Sequence, residues 1–577
     1  MTALAATATT RTACPEGRRH LSRTAEAKPR RLPPHLPEGA IMSTSKSLTA
    51  AITMLGRAPA VQAVLHIDAV KPGRSRLVSI EAFLTVAIAF KIQGPKRDFV
   101  LTDLTRWVDT FSPAQQDRAG LPWDWSYDNL QTAFQGLIGH LEPEGALARR
   151  GPRNPRMPSV DEFVNALIDA SIPAGCPQTE VLALDSTDVR THAKRRSWLA
   201  KPDTTDPYVP DHARDDKPWA SPGWPKLQPD GRYAVGADLE ARIGWCTIKN
   251  QEGSSTFNGY DAHLLVDAGS PGQAFWVPFI RGAVLRPAGE YKADAGLALL
   301  DSLPRGVQAR YLASDRGYSY AKASAWHLAL QDRSIIGVHD LHTNQRRPHP
   351  SNSSRGVQWI DGTLFPDSLP KPLRTLPNYP IGMKATDRAD LVGLYEEREQ
   401  WAFRVNRRFD NGDVQLKGPA FTLRVRCRNW PKSMRAKSST PMTNCKPACQ
   451  CGATKVIPLA EAAWERQHLT FGTEKWLRHY GLRTFVEGAN AQLKEWRGSM
   501  RRHSTKVFGT TANAIVLAVH CAAVNVSMTQ DAWDGAVTLN TRRPEEVPET
   551  QRRRSPSRPG PAVSSGTGST GPRGRRS

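Results

Sequence analysis

Residues 181–189 read VLALDSTDV, a short apolar run that leads straight into Asp185. Bounded as it is, the run reads as a buried strand. A carboxylate at the end of such a strand is costly unless it is paired, hydrogen-bonded or on a metal. In open α/β sheets that strand end is also where ligands sit. The arrangement recurs in RYLASDRGY, where Arg310–Ser314 leads as a strand into Asp315 and Gly317 allows a sharp exit. One such Asp is weak evidence, because many merely cap a turn, and two are suggestive. Between them Tyr260–Ala268 (YDAHLLVDA) and Ala274–Ile280 (AFWVPFI) read as strands, and Glu290–Leu300 reads as a helix. Strands, then a helix, then a strand predict an α/β core over residues 178–317.

After this first part, residues 318–465 read as a mainly β insertion. Phe403 and Val405 alternate with polar residues, Asp410-Asn411-Gly412-Asp413 supplies turn chemistry, and Val414 and Leu416 alternate again. Phe421, Leu423, Val425 and Cys427 continue the period of two. Residues 466–530 return to the core, with a long helix predicted from Thr473 to Met500. Ahead of the core, residues 46–150 read as a helical domain. Ser79 is placed to cap a helix from Ile80, with Glu81 in its first turn, and Leu101–Phe111 and Tyr127–Leu141 continue the pattern. Such a unit suits recognition of a DNA end, and a helical scaffold without DNA contact fits equally. No clean helix-turn-helix signature is visible. Residues 1–45 (Ala, Thr, Arg, Pro) and 541–577 (Pro, Gly, Ser, Arg) lack periodicity and are expected to be disordered.

The chain has 577 residues, 39% of them hydrophobic, and a formal net charge of +23. It can therefore bury a sizeable core. Residues 1–42 account for +4 and residues 541–577 for +6, which leaves +13 on the body. A folded part that is itself basic attracts polyanions, and DNA is the commonest in a cell. Ile80–Phe90 is the best apolar run, about half the ~20 residues a membrane span needs, so no membrane partner is expected. No signal peptide is visible, and the expected location is the cytoplasm, at the nucleoid.

The chemistry converges in HYGLRTFVEGANAQLKEW, residues 479–496. On one regular helix, at about 100° per residue, Tyr480, Arg483, Glu487 and Lys494 fall within an arc of about 60°. A solvated helix face with an Arg483–Glu487 ion pair is the commoner fate of such charges. The pattern Tyr-x2-Arg-x3-Glu-x6-Lys, however, resembles the signature of a large family of bacterial insertion-sequence transposases of the DDE type. The family's other two acids lie in motifs like DSTDV and DRGY, matching Asp185 and Asp315. The order Asp, Asp, β-rich insertion, Glu is also similar, and the resemblance covers roughly residues 178–505.

This resemblance implies a ribonuclease-H-like catalytic core in which Asp185, Asp315 and Glu487 are catalytic and hold two Mg²⁺ ions. Mn²⁺ is expected to substitute. Mg²⁺ prefers hard oxygen ligands and keeps waters, so two or three carboxylates suffice. Two ions about 4 Å apart can serve in-line displacement at phosphorus. By analogy Asp185 would bridge both ions. Tyr480, Arg483 and Lys494 would bind DNA at the transposon end. The implied partners are terminal inverted repeats and target DNA, with a homodimer on paired ends. The implied reaction is excision by strand cleavage, often through a DNA hairpin, followed by insertion through 3′-OH attack. Asp188 rivals Asp185 but, three residues along the strand, would face the opposite way. His192, Lys194, Arg195 and Arg196 could line a DNA path or form a solvated basic loop.

Of eight Cys, Cys14, Cys176, Cys246 and Cys521 are isolated, unlike a secreted disulfide framework. Cys427, Cys445, Cys449 and Cys451 cluster in the insertion, the last three as C-x3-C-x-C. Four thiolates could make a structural Zn²⁺ site. The spacing is not a standard one, zinc is no part of the family pattern, and free Cys in a reducing compartment is the commoner state. His339, His342 and His349 are expected in exposed loops. Two other functions share these features: a different ribonuclease-H-like nuclease without terminal-sequence preference, and a non-catalytic DNA-binding protein derived from a mobile element.

Overall fold

The computed structural model describes residues 42–70, 75–142, 156–176, 178–193, 226–227, 233–234, 236–247, 254–273, 276–379, 383–462, 468–501 and 503–530. The two terminal segments predicted to lack structure lie almost wholly outside these residues. The exception is at residues 42–45, where Ser43 caps a helix that begins at Thr44.

Helices come first: α1 (Thr44–Gly56), α2 (Pro59–Ala69), α3 (Ile80–Gln93), α4 (Leu101–Val108), α5 (Pro113–Arg118), α6 (Tyr127–Leu141) and α7 (Val160–Ala170). Ser79 starts α3 as the sequence predicts, its hydroxyl accepting the Ala82 N–H at 3.0 Å. Every residue of α3 from Ala82 to Ile92 is buried, as expected of a helix apolar on all sides. It is covered by α1, α4, α6 and the last helix, α13 (Thr510–Met528). One apolar cluster thus runs from Leu48 to Met528, tying the first helices to the end of the described chain.

Helix α13 is a feature the sequence reading passes over. It is long and apolar enough to cross a membrane, but 89% of its apolar window lies inside the protein, against α3, α7 and the sheet. Buried Asn513, His520 and Asn525 interrupt its apolar run; Asn513 donates to the Gly509 carbonyl at 2.8 Å and His520 Nδ1 lies 2.9 Å from the Val516 carbonyl. Asn525 accepts the Ile280 N–H at 3.0 Å and donates to Ser171 and to the Ile280 carbonyl, both at 2.9 Å.

The main sheet has six strands: β1 (Val181–Arg190), β2 (Arg242–Thr247), β3 (Ser254–Asp267), β4 (Ile280–Pro287), β5 (Tyr311–Ser314) and β6 (Ile336–His339). Strand β3 pairs antiparallel with β1 on one edge and with β2 and then β4 along the other. On its far side β1 pairs parallel with β5, and β5 with β6. Between β4 and β5 runs α8 (Lys292–Asp301), and α9 (His327–Asp332) precedes β6. The fold is therefore mixed α/β. Strand β4 starts at Ile280, not within 274–279 as predicted, and Tyr260–Ala268 is only the second half of β3. Strand β6 lies inside the stretch predicted to be all insertion. Its residues Gly337–His339 are buried, so no alternation marks it in sequence.

Beyond β6 come β7 (Val357–Ile360) paired with β8 (Thr363–Pro366), helix α10 (Ala385–Glu399), and a sheet of β9 (Arg404–Arg408), β10 (Val414–Lys417) and β11 (Thr454–Ile457). The hairpin at Asp410–Asp413 forms as predicted, with Gly412 at φ 83°. The strand predicted through Phe421–Cys427 does not. That stretch is turn and bend up to Val425, with Leu423 at φ 60°, and only isolated bridges at Arg426 and Cys427. Helix α10 is anchored by fully buried Arg398, which reaches Asp361 at 2.7 Å and lies over the Tyr395 ring.

Candidate active site

Strand β1 is buried from Val181 to Leu184 and alternates faces thereafter. Val181 and Ala183 pack into the helical cluster, while Leu182 and Leu184 pack against α8 and Trp326. Asp185 therefore faces the helical side. The parallel pairing of β1 with β5 ends at Leu184–Ser314, so Asp185 and Asp315 are neighbours just past it. Asp185 does not end its strand as predicted, because antiparallel pairing with β3 continues to Arg190. Asp315 sits at the N-cap of the short helix Arg316–Ser319, yet its side chain makes no capping bond. That carboxylate is not spent on the turn. Burial pushes the Asp185 carboxyl above the usual carboxylate range. Asp315 adds to this, while the Ser186 amide, Lys292 and Arg483 oppose it.

The helix predicted over 473–500 is segmented. It runs as α11 (Glu474–Tyr480), a 3₁₀ turn Gly481–Arg483, α12 (Thr484–Ala491) and a π turn Gln492–Trp496. Each change of pitch rotates the residues beyond it about the helix axis, so the single face expected from regular spacing is broken. Three of its four residues stay together. Arg483 lies between two acids, Nη2 at 2.7 Å from Glu487 Oε1 and Nη1 at 3.7 Å from Asp185 Oδ2. Its guanidinium carbon is 5.8 Å from the Tyr480 ring centroid, and Tyr480 stacks on Trp476 at 4.7 Å. Burial pushes the Tyr480 hydroxyl up to about 12, so it stays a donor. Glu487 is half-exposed at 53%.

Lys494, expected beside them, is instead bonded to Asp188, which also accepts from Arg190 Nε at 2.8 Å. Asp188 faces away from Asp185, as strand alternation requires, and its register partner is Asp261. Burial raises the Asp261 carboxyl; the Gly289 amide and Lys292 oppose this, and Asp188 adds to it. On the same face His263 Nδ1 lies 2.7 Å from the Tyr318 hydroxyl, and burial depresses the imidazole to about 3. The sequence reading missed Asp261, His263, Lys292 and Tyr318. A signal existed in YDAH and DRGY, where Asp261 and His263 share one face of β3.

His192 Nδ1 lies 2.9 Å from His503 Nδ1. Lys194, Arg195 and Arg196 lie outside the described residues. His339, expected in an exposed loop, is fully buried in β6 with Nδ1 2.7 Å from Ser314 Oγ.

Cys427, Cys445, Cys449 and Cys451 are brought together, their Sγ atoms all within 4.8 Å of one another. Among the described residues no carboxylate or histidine trio closes to that spacing, and Arg483 separates Asp185 from Glu487. No family model matches the chain, and neither the curated proteins nor the solved structures gave a match.

Proposed function

We propose that this chain is a DNA transposase of an insertion sequence, with a ribonuclease-H-like core that cleaves transposon ends and joins them to target DNA. One observation carries the reading. Two carboxylates 130 residues apart stand side by side past the last parallel pair of the sheet, and the helix with Arg483 and Glu487 lies over the first. The mixed sheet, antiparallel strands continued by parallel ones, supports the same reading.

The donor set suits divalent magnesium. Asp185 and Asp315 are hard oxygen donors, and a cation there would relieve the burial and the Asp315 charge that raise the Asp185 carboxyl. Bound there with Glu487, Mg²⁺ would supply charge neutralisation at a phosphate and a more acidic attacking water or hydroxyl. The chain's own groups position the DNA. Arg483 can release Glu487 and take a phosphate oxygen in a bidentate grip. Tyr480, protonated at neutral pH, can donate to a second oxygen.

The experiment is cleavage of labelled DNA carrying the flanking inverted repeats, comparing wild type with Glu487→Gln, with Mg²⁺ and with Mg²⁺ omitted. Cutting at the repeat ends that needs both Mg²⁺ and Glu487 supports the transposase. Cutting without repeat preference favours another ribonuclease-H-like nuclease. A second reading, a non-catalytic DNA-binding protein, draws on the Arg483 guanidinium between Asp185 and Glu487. Repeat binding without any cutting would favour it.

A further inference from the structure

Residues 418–453 form a 36-residue connection between β10 and β11 whose one helical element is a 3₁₀ turn, Pro431–Arg435. Loops beyond about 12–15 residues without regular structure are uncommon in compact domains and need some other means of holding their shape. Here the chain turns inward at four cysteines. Cys427 and Cys451 are fully buried, and Cys445 and Cys449 are half-buried. Cys427 Sγ is 3.5 Å from Cys449 Sγ, and Cys445 Sγ is 3.4 Å from Cys451 Sγ. These contacts are far longer than a disulfide at about 2.05 Å. They approach the ~3.8 Å sulfur–sulfur edge of a tetrahedron with metal–sulfur bonds of ~2.3 Å.

We propose that Cys427, Cys445, Cys449 and Cys451 bind one structural zinc ion that holds this connection folded. Polar donors already surround the sulfurs. Ser368 Oγ lies 2.9 Å from Cys451 Sγ, Asn429 Nδ2 lies 3.4 Å from Cys449 Sγ, and the Asn429 amide points at Cys427 Sγ. Such donors offset the charge of four thiolates and orient them. Backbone packing fixes one side of the site. Ala420 N–H donates to the Cys451 carbonyl at 2.8 Å, and a Cβ on Gly418 would come 2.3 Å from that oxygen. All four positions are cysteines with no carboxylate among them, which is the donor set of a closed structural site rather than a catalytic one. The ion is distinct in place and chemistry from the magnesium of the carboxylate site, and the inference does not depend on that reading.

The test uses the full chain, expressed with zinc in the medium and purified without chelator, and reads metal content by plasma emission without any DNA. About one zinc per chain is expected, falling several-fold in Cys449→Ser and retained in Cys449→His. Replacement by cobalt(II) in the wild type should give the intense thiolate-to-metal absorption of a tetrahedral sulfur site, which does not rely on any variant folding. Wild-type protein without zinc whose four thiols react freely with a thiol reagent overturns the proposal. Iron at the site, or Cys427–Cys449 and Cys445–Cys451 disulfides, overturns it as well.

Discussion

Asp185 and Asp315 are each the first residue beyond the last parallel pair, Leu184–Ser314, and the Asp315 charge opposes ionisation of Asp185. The Asp185 carboxyl is raised by burial and then by Asp315. A carboxyl raised in the folded state costs stability once pH exceeds the folded value, and the cost disappears below the unfolded one. Asp315→Asn should therefore leave the thermal midpoint at neutral pH unchanged or higher, while DNA cleavage falls by at least about 10²-fold. Calorimetry and the cleavage assay together check this. A variant that loses stability and activity in parallel would mark Asp315 as a structural residue.

Arg483, together with Lys292, supplies positive charge beside Asp185. Arg483→Gln should lower the melting temperature in metal-free buffer by about 1 °C, as expected when about 1 kcal/mol is lost from a chain of this size. Added Mg²⁺ should stabilise the variant more than the wild type, because the ion no longer competes with a guanidinium. Equal shifts in both proteins would argue that Mg²⁺ does not bind beside Arg483.

The opposite face carries its own balance. Burial alone would raise the Asp188 carboxyl, but Lys494 and Arg190 outweigh it and hold the group below the usual range. A depressed carboxyl stabilises above its unfolded value, near 3.9, and that contribution is lost as pH falls through the folded value. Lys494→Met should cost roughly 1–3 kcal/mol at pH 7, because Asp188 then faces Asp261 across β1 and β3 without its ammonium. Adding Asp188→Asn should restore most of it. Denaturant titrations of the two single variants and the double variant measure the coupling, and additive losses would dismiss the pair.

Much of this arrangement is legible in the sequence because it depends on local signals. Asp185 and Asp315 both follow buried apolar runs, and Ser79, Tyr127–Leu141 and the Asp410–Asp413 turn behave as their residue chemistry requires. The illegible part depends on pitch and pairing. The 3₁₀ and π turns around α12 leave no mark in a pattern of charges, so regular spacing groups Lys494 with Arg483, whereas its ammonium reaches Asp188. Strand β6 hides because it is buried without alternation. Helix α13 hides because buried Asn513, His520 and Asn525 break its apolar run. The cysteine quartet shows the reverse case, with irregular spacing in sequence and close grouping in space.

Lys91 is a charge buried in the first helical layer. It donates to the Pro95 carbonyl at 2.7 Å and to Ser499 Oγ at 3.4 Å, and burial depresses its ammonium to about 7. An unfolded lysine titrates near 10.4, so between these values the unfolded chain binds more protons and stability rises with pH. The gain is about 1.4 kcal/mol per pH unit at most. Lys91→Met should be less stable throughout, because it strands carbonyls, and should lack this slope. Unfolding measured from pH 7 to 9 in both proteins checks it, and parallel curves would show that Lys91 stays charged when folded.

The connection held by the four cysteines carries Arg424, Arg426, Arg428, Lys432, Arg435, Lys437 and Lys446 and no acid. Arg428, Lys432, Arg435, Lys437 and Lys446 are exposed. A solvated cationic loop would contribute little to a single contact, but on a DNA-binding protein each cation that meets a phosphate releases a counterion. Each such contact adds about 0.9 to the slope of log affinity against log salt. Lys432→Ala with Arg435→Ala should therefore reduce that slope by up to about 1.8 and weaken binding most at low salt. Glu487→Gln should leave the slope unchanged, because it removes no phosphate contact. Fluorescence anisotropy across a salt series separates the two. An unchanged slope in the double variant would mean that this loop faces away from the DNA.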